Sequence, residues 1–146
     1  MKIEFVPFIR EDLDLIEKRP KNEEGELIIS RDQKIRMEKN PSMTMLVDGV
    51  VKACGGCVYL WPNTAEFWAV TAPDIRKYKK VFNQFVLNLI DNVTRALHLK
   101  RLQATVREDF AVGHRWVKYL GFKFEAKMTN YIEDNTYWLY SRIMEE

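Results

Sequence analysis

The spacing of hydrophobic residues changes several times along the chain, and each change marks an element. Residues Ile3 to Phe8 alternate and predict a strand that closes near Pro7. Leu13 and Ile16 sit at helical spacing in Arg10 to Lys18, behind an acidic first turn, which predicts a helix there. Lys21 to Gly25 reads as a polar loop. Ser30-Arg31-Asp32-Gln33 is a capping box, because the serine and the glutamine three residues on satisfy two orphan amides of a helix start. That helix runs to about Glu38 and stops at Asn40-Pro41.

The period then shortens. Thr44 to Val47 and Val50 to Leu60 flank Asp48-Gly49, a strong hairpin signal. Gly55-Gly56 inside the second strand predicts a bulge or a close backbone approach. Trp61-Pro62-Asn63 makes the next turn, and Ala65 to Thr71 a third strand. Pro73 precedes the longest helical stripe, formed by Val81, Phe82, Phe85, Val86, Leu89, Ile90, Val93 and Leu97. A strand at Arg101 to Val106 follows, then a short helix around Phe110, Gly113, Trp116, Val117 and Leu120, ended by Gly121. Phe122 to Met128 and Thr136 to Ile143 form a final hairpin about Asp134-Asn135.

This order predicts an α+β fold: an α/β sandwich of one mixed, mostly antiparallel sheet of about seven strands, with helices on both faces. Right-handed crossover makes the strands at 65–71 and 101–106 parallel neighbours. A length of 146 residues fits one domain spanning 1–146.

Composition removes several classes of function. The 23 basic and 21 acidic residues leave a net charge of +2, too little to attract nucleic acid or an anionic membrane through a global field. The tryptophans fall on different elements, so no base-stacking platform is expected. No apolar run approaches the roughly 18 residues of a membrane span. The start, Met1-Lys2-Ile3-Glu4-Phe5, lacks a signal-peptide core, and two cysteines make no disulfide scaffold, so a cytoplasmic setting is expected. Cys54-Gly55-Gly56-Cys57 lies inside a predicted strand without a second such pair or a nearby histidine. Buried ordinary cysteines are expected there, and no metal.

Two groups of residues carry candidate chemistry. Arg76, Lys77, Lys79 and Lys80 surround the start of the long helix, whose N-terminus already favours anions. Glu66 shares a strand face with Trp68 and Val70.

The element order, Leu120-Gly121-Phe122 after the short helix, and Ala65 to Val70 followed by Pro73-Asp74-Ile75-Arg76 resemble the GNAT superfamily of acyl-CoA N-acyltransferases over nearly the whole chain. Trp68 to Thr71 and Gly113 to Trp116 carry a weaker resemblance to small phage-encoded proteins of the same fold. The first resemblance implies an N-acetyltransferase that moves an acetyl group from acetyl-CoA directly to an amine acceptor in a ternary complex. It implies cofactor contacts at Trp68, Val70, Arg76, Lys77, Tyr78, Lys79, Lys80, Val81, Phe110 and His114. It also implies Glu66 as proton acceptor; the last hairpin itself offers Tyr131, Tyr137 and Tyr140 as candidate general acids, Tyr131 first. The sequence departs from the family pattern at four places. Lys79 and Val81 replace the small residues of the pyrophosphate loop, Phe110 an asparagine, and Val117 the frequent general-acid tyrosine. These departures define an alternative: a catalytically inactive GNAT-fold phage protein, in the host cytoplasm or virion, with a structural or interaction role. In that case Phe110 or Tyr78 is expected to plug the groove. The last hairpin with Trp138 offers a possible homodimer contact.

Overall fold

A computed structural model describes residues 1–19 and 29–144, so the polar loop expected at Lys21 to Gly25 lies outside the described residues. One mixed sheet of seven strands organises the chain, in the order β1-β2-β3-β4-β5-β7-β6. The strands are β1 (Ile3–Pro7), β2 (Ser42–Val47), β3 (Val50–Trp61), β4 (Thr64–Thr71), β5 (Arg101–Arg107), β6 (Lys123–Ile132) and β7 (Asn135–Ile143). The helices are α1 (Arg31–Lys39), α2 (Lys79–Ala96) and α3 (Ala111–Tyr119). All neighbouring strands are antiparallel except β4 and β5, the pair joined through α2, as the crossover rule requires.

Alternation along the strands builds a core on each side of the sheet. Ala65 and Phe67 of β4 and Leu102, Ala104 and Val106 of β5 face the stripe Phe82, Val86, Ile90 and Val93 of α2, together with Val117 of α3. Cys54, Val70, Phe8, Ile16 and Met37 make the second, smaller cluster under α1. Trp116 joins α3 to α2: its ring stacks on Phe82 at 5.4 Å, and its indole N–H donates to Asn83 Oδ1 at 2.8 Å.

Local signals explain most boundaries. Ser30 Oγ accepts from the Gln33 amide while Gln33 Oε1 accepts from the Ser30 amide, closing the expected box. Asp48 and Gly49 both take positive φ, 49° and 80°, as the tight hairpin between β2 and β3 demands. Gly121, at φ 98°, lets the Phe122 amide reach back to Val117 O (3.0 Å) and its own amide to Lys118 O (3.0 Å). That double closure ends α3 and aims the chain into β6.

One expectation needs correction and one is resolved. The helix expected over Arg10 to Lys18 is only a 3₁₀ turn, Arg10–Asp14. Asp12 turns inward, where its Oδ2 accepts from the Ile9 amide (3.2 Å) and the Thr44 hydroxyl (2.7 Å), so one tight turn is tied to β2. The glycine pair in β3 marks a close approach, while the register shift of β3 against β4 falls at Tyr59/Trp61. A Cβ on Gly56 would lie 2.3 Å from Pro41 O, because the Cys57 amide donates to that carbonyl at 2.9 Å.

Candidate active site

Strands β4 and β5 begin side by side and then part. Their pairing covers Thr64↔Arg101, Ala65↔Leu102 and Glu66↔Gln103, although β4 continues to Thr71 and β5 to Arg107. A cavity of about 520 Å³ opens where they separate. Glu66, Trp68 and Val70 line it from β4, and Thr105 and Arg107 from β5. Phe110 and Val117 close one side, Gln33, Arg36 and Met37 of α1 another, and Tyr131 and Tyr137 of the last hairpin a third. Sequence neighbours such as Arg76 and Lys79 are not part of this wall.

Glu66 stands at the fork itself, on the last paired rung. Burial raises its carboxyl above the ordinary carboxylate range, opposed by a hydrogen bond from Gln103 and by the charge of Arg36. Gln103 Nε2 donates to Glu66 Oε1 at 3.4 Å. A carboxyl with raised proton affinity in a cavity is suited to accept a proton near neutral pH.

Tyr131 lines the same cavity, so the fold brings the two expected catalytic residues together although 65 positions separate them in sequence. Burial first, then the charge of Glu66, raises the Tyr131 phenol, which keeps it protonated and able to donate. Its ring lies 5.6 Å from that of Tyr137. Val117, at the family's tyrosine position, is a buried wall residue, and the phenols of the cavity come from the hairpin instead.

Trp68 packs edge-on against Phe8 at 5.1 Å, and its buried indole N–H meets no acceptor among the described residues. A donor without a partner in a cavity wall is costly unless a ligand or water completes it. Phe110 lies along the wall without filling the cavity. Gly113 makes this possible, since a Cβ there would come within 2.6 Å of the Phe110 ring. Tyr78 packs against the core under α2 and does not line the cavity. The plug expected of a noncatalytic groove is therefore absent among the described residues.

The basic residues lie past the end of β4. Arg76 and Lys77 belong to a 3₁₀ turn, Ile75–Tyr78, and Lys79 and Lys80 begin α2, with Val81 exposed beside them. The first turn of α2 has no acidic residue and no side-chain cap, so its positive end stays uncompensated. Lys52 anchors this turn to β3 through Asp74 at 2.9 Å, which holds the Asp74 carboxyl below its usual range. Arg19 carries no local signal in the sequence, where it is one of several basic residues in a polar stretch. It bridges both walls of the fork, donating to Thr71 Oγ1 at 2.8 Å and lying 5.2 Å over the Phe110 ring.

Some expected residues lie elsewhere. His114 does not line the cavity. Its Nε2 faces the carbonyls of Arg107 and Glu108, each at 3.0 Å, so this nitrogen carries the proton. Its Nδ1 then accepts from the Tyr140 hydroxyl at 2.7 Å. His114 and fully buried Tyr140 thus form a structural pair, and neither reaches the cavity. Cys54 and Cys57 are buried in different cores, and burial pushes both thiols up to about 12. Both are free thiols held protonated in separate clusters, as buried ordinary cysteines are. Among the described residues no cluster of three or more His, Cys, Asp or Glu side chains is placed to hold a metal ion.

A seven-stranded mixed sheet parted over a cavity, with α2 crossing between the parted strands, is the fold of the GNAT acetyltransferases, and this chain has it. Among solved structures, Ard1 from Thermoplasma volcanium matches with a TM-score of 0.78 and 17% identity over 99% of each chain. A GNAT-family acetyltransferase from Bacillus anthracis matches with a TM-score of 0.70 and 13% identity, over 100% of this chain and 97% of that one. A ribosomal L7/L12 alpha-N-protein acetyltransferase in complex with coenzyme A matches with a TM-score of 0.61 and 13% identity, over 70% of this chain and 61% of that one. No family model matches the sequence. No curated protein matches it either. The likeness is one of fold.

Proposed function

We propose that the protein is an N-acetyltransferase that moves an acetyl group from acetyl-CoA to an amine in a ternary complex. The observation that carries this reading is the parting of β4 from β5 beside Glu66, which leaves one edge of β4 unpaired along the cavity. An unpaired strand edge supplies amide donors and carbonyl acceptors to an extended ligand with amide groups, which describes the pantetheine arm of CoA. Backbone groups of Phe67 and Ala69, which face the fork while those of Trp68 and Val70 face β3, hold that arm and polarise the thioester carbonyl, and the Trp68 indole N–H adds a donor. The phosphates lie toward residues 76–81. There the uncapped start of α2 and the side chains of Arg76, Lys77, Lys79 and Lys80 supply the positive field that small loop residues give through close backbone approach.

The chemistry then follows from the wall. Glu66, directly or through water, takes the proton that keeps the acceptor an ammonium. The free amine attacks the thioester carbonyl carbon, and the developing oxyanion meets backbone donors of β4. The C–N bond forms, the C–S bond breaks, Tyr131 delivers a proton to the leaving thiolate, and the second proton lost by the attacking nitrogen restores the Tyr131 phenol. The acceptor enters between α1 and the last hairpin, past Arg36 and Tyr137.

Thermal unfolding with and without acetyl-CoA at matched ionic strength tests the binding half. Ligand at about 100 times its dissociation constant adds roughly 2.7 kcal/mol. A midpoint rise of several degrees is expected, lost in Arg76→Glu/Lys79→Glu. An unchanged midpoint would sink the reading. The transfer half is tested by a screen of amines and peptides for acetylated product.

A further inference from the structure

Behind Glu66 lies a chain of polar side chains running across four strands. The Arg101 guanidinium gives Nη1 and Nη2 to the two oxygens of Glu125, each at 2.7 Å, and Nε to Gln103 Oε1 at 3.0 Å. Ser141 Oγ donates to Glu125 from β7. Gln103 then reaches Glu66 on β4. Chemistry fixes the direction of this chain. Arginine only donates and a carboxylate only accepts, so an amide between them fits one way round: carbonyl toward Arg101, NH₂ toward Glu66.

We propose that Gln103 is a positioning residue for Glu66. Locked by Arg101, its amide holds Oε1 of the carboxylate and leaves Oε2 for the cavity. The proposal rests on the reading of Glu66 as the base. An unlocked glutamine turns about its last torsion and offers its carbonyl to the carboxylate as readily as its NH₂, which repels the charged form. The lock removes that alternative, so a carboxyl disfavoured by burial keeps a fixed donor for its ionised state. The other charged and titratable groups lining the same cavity are Arg36 on α1, Arg107 on β5, Tyr131 on β6 and Tyr137 on β7. None is altered by the variants below.

The test follows the Glu66 carboxyl by NMR in the full chain with carbon-13-labelled glutamate carboxyls, its resonance assigned by loss in Glu66→Gln. Gln103→Met keeps the volume and leaves the Arg101–Glu125 bridge intact, so the fold is retained. It is expected to raise the proton affinity of Glu66 by roughly three- to tenfold, the scale of one lost hydrogen bond of ordinary strength. Arg101→Met is expected to raise it less, and the double variant to equal Gln103→Met alone, because Arg101 acts only through the amide. An unchanged Glu66 midpoint in Gln103→Met overturns the proposal. So does a double variant whose shift is the sum of the two singles, since Arg101 then acts as a distant charge. The acid limb of kcat/KM for an amine that is turned over is recorded alongside. If it moves with the NMR midpoint, both readings stand. If the NMR midpoint moves and the acid limb stays, the clamp stands and Glu66 is not the base.

Discussion

At the scale of single residues, Glu66 joins function and stability with opposite signs. Its folded-state proton affinity is raised by burial, so the folded chain binds the proton more tightly than the unfolded chain. Stability from this group is full below the ordinary carboxylate value and is lost as pH rises through the raised one. At neutral pH the buried charge is therefore a cost to the fold. Glu66→Gln is expected to leave the melting temperature unchanged or higher at pH 7 while lowering kcat about 100- to 10,000-fold. Melting curves and turnover on the same preparations check this, and a lower melting temperature with intact turnover would contradict it. The adjacent glycines of β3 give a second contrast. A Cβ on Gly55 meets Trp68 O at 3.1 Å, whereas one on Gly56 meets backbone of Pro41 and Ser42 at 2.3 and 2.7 Å. Gly56→Ala is expected to cost at least about 1–3 kcal/mol in denaturant unfolding, and Gly55→Ala clearly less.

At the scale of elements, the last hairpin serves two purposes. One end carries Tyr131 and Tyr137 to the cavity, and the other is tied to β5 by Arg101, Glu125 and Ser141. Glu125 sits at the centre of that tie, and its hydrogen bonds from Arg101 and Ser141 hold its carboxyl down at about 2. The stability it contributes is present above the ordinary glutamate value of 4.5 and lost as pH falls toward 2. Glu125→Gln is expected to lower stability at pH 7 and to flatten its decline between those limits, as read by urea unfolding at several pH values. An equally steep decline in the variant would place the acid sensitivity elsewhere. Element periods were readable in the sequence because each core face is lined by one period, as in the α2 stripe and the alternation of β5. The 3₁₀ turn at Arg10–Asp14 was not, because the inward turn of Asp12 depends on Thr44, 32 positions on.

At the scale of the whole molecule, the hairpin pairs and the parallel pair were legible from turns and one crossover, whereas the placement of β1 beside β2 and of β7 between β5 and β6 was not. The candidate site was legible only in part. Glu66, Trp68 and Val70 announce themselves by alternation on one strand, and Tyr131 stood among three tyrosines of the last hairpin. Gln103 and Arg19 carry no local signal, since an isolated glutamine on a strand and an arginine in a polar stretch look like solvent-facing residues. His114 stood in a turn expected to meet the cofactor and instead serves Tyr140, a partner that only β7 brings near. No helix among the described residues is long and apolar enough to cross a membrane.

The parting of β4 from β5 also writes a pattern into the backbone that isotope exchange can read. Antiparallel pairing with β3 engages every second residue of β4 and turns the others toward β5. Beyond Glu66 that second set meets no strand among the described residues. Amide hydrogens across 67–71 are therefore expected to exchange with deuterium in alternation, slow where they face β3 and fast where they face the fork. An extended ligand laid along β4 fills the place of a missing strand and slows only the fast set. The exchange record of five consecutive amides thus reports whether a bound molecule lies in the fork as a strand would, without any need to know what it donates or to whom.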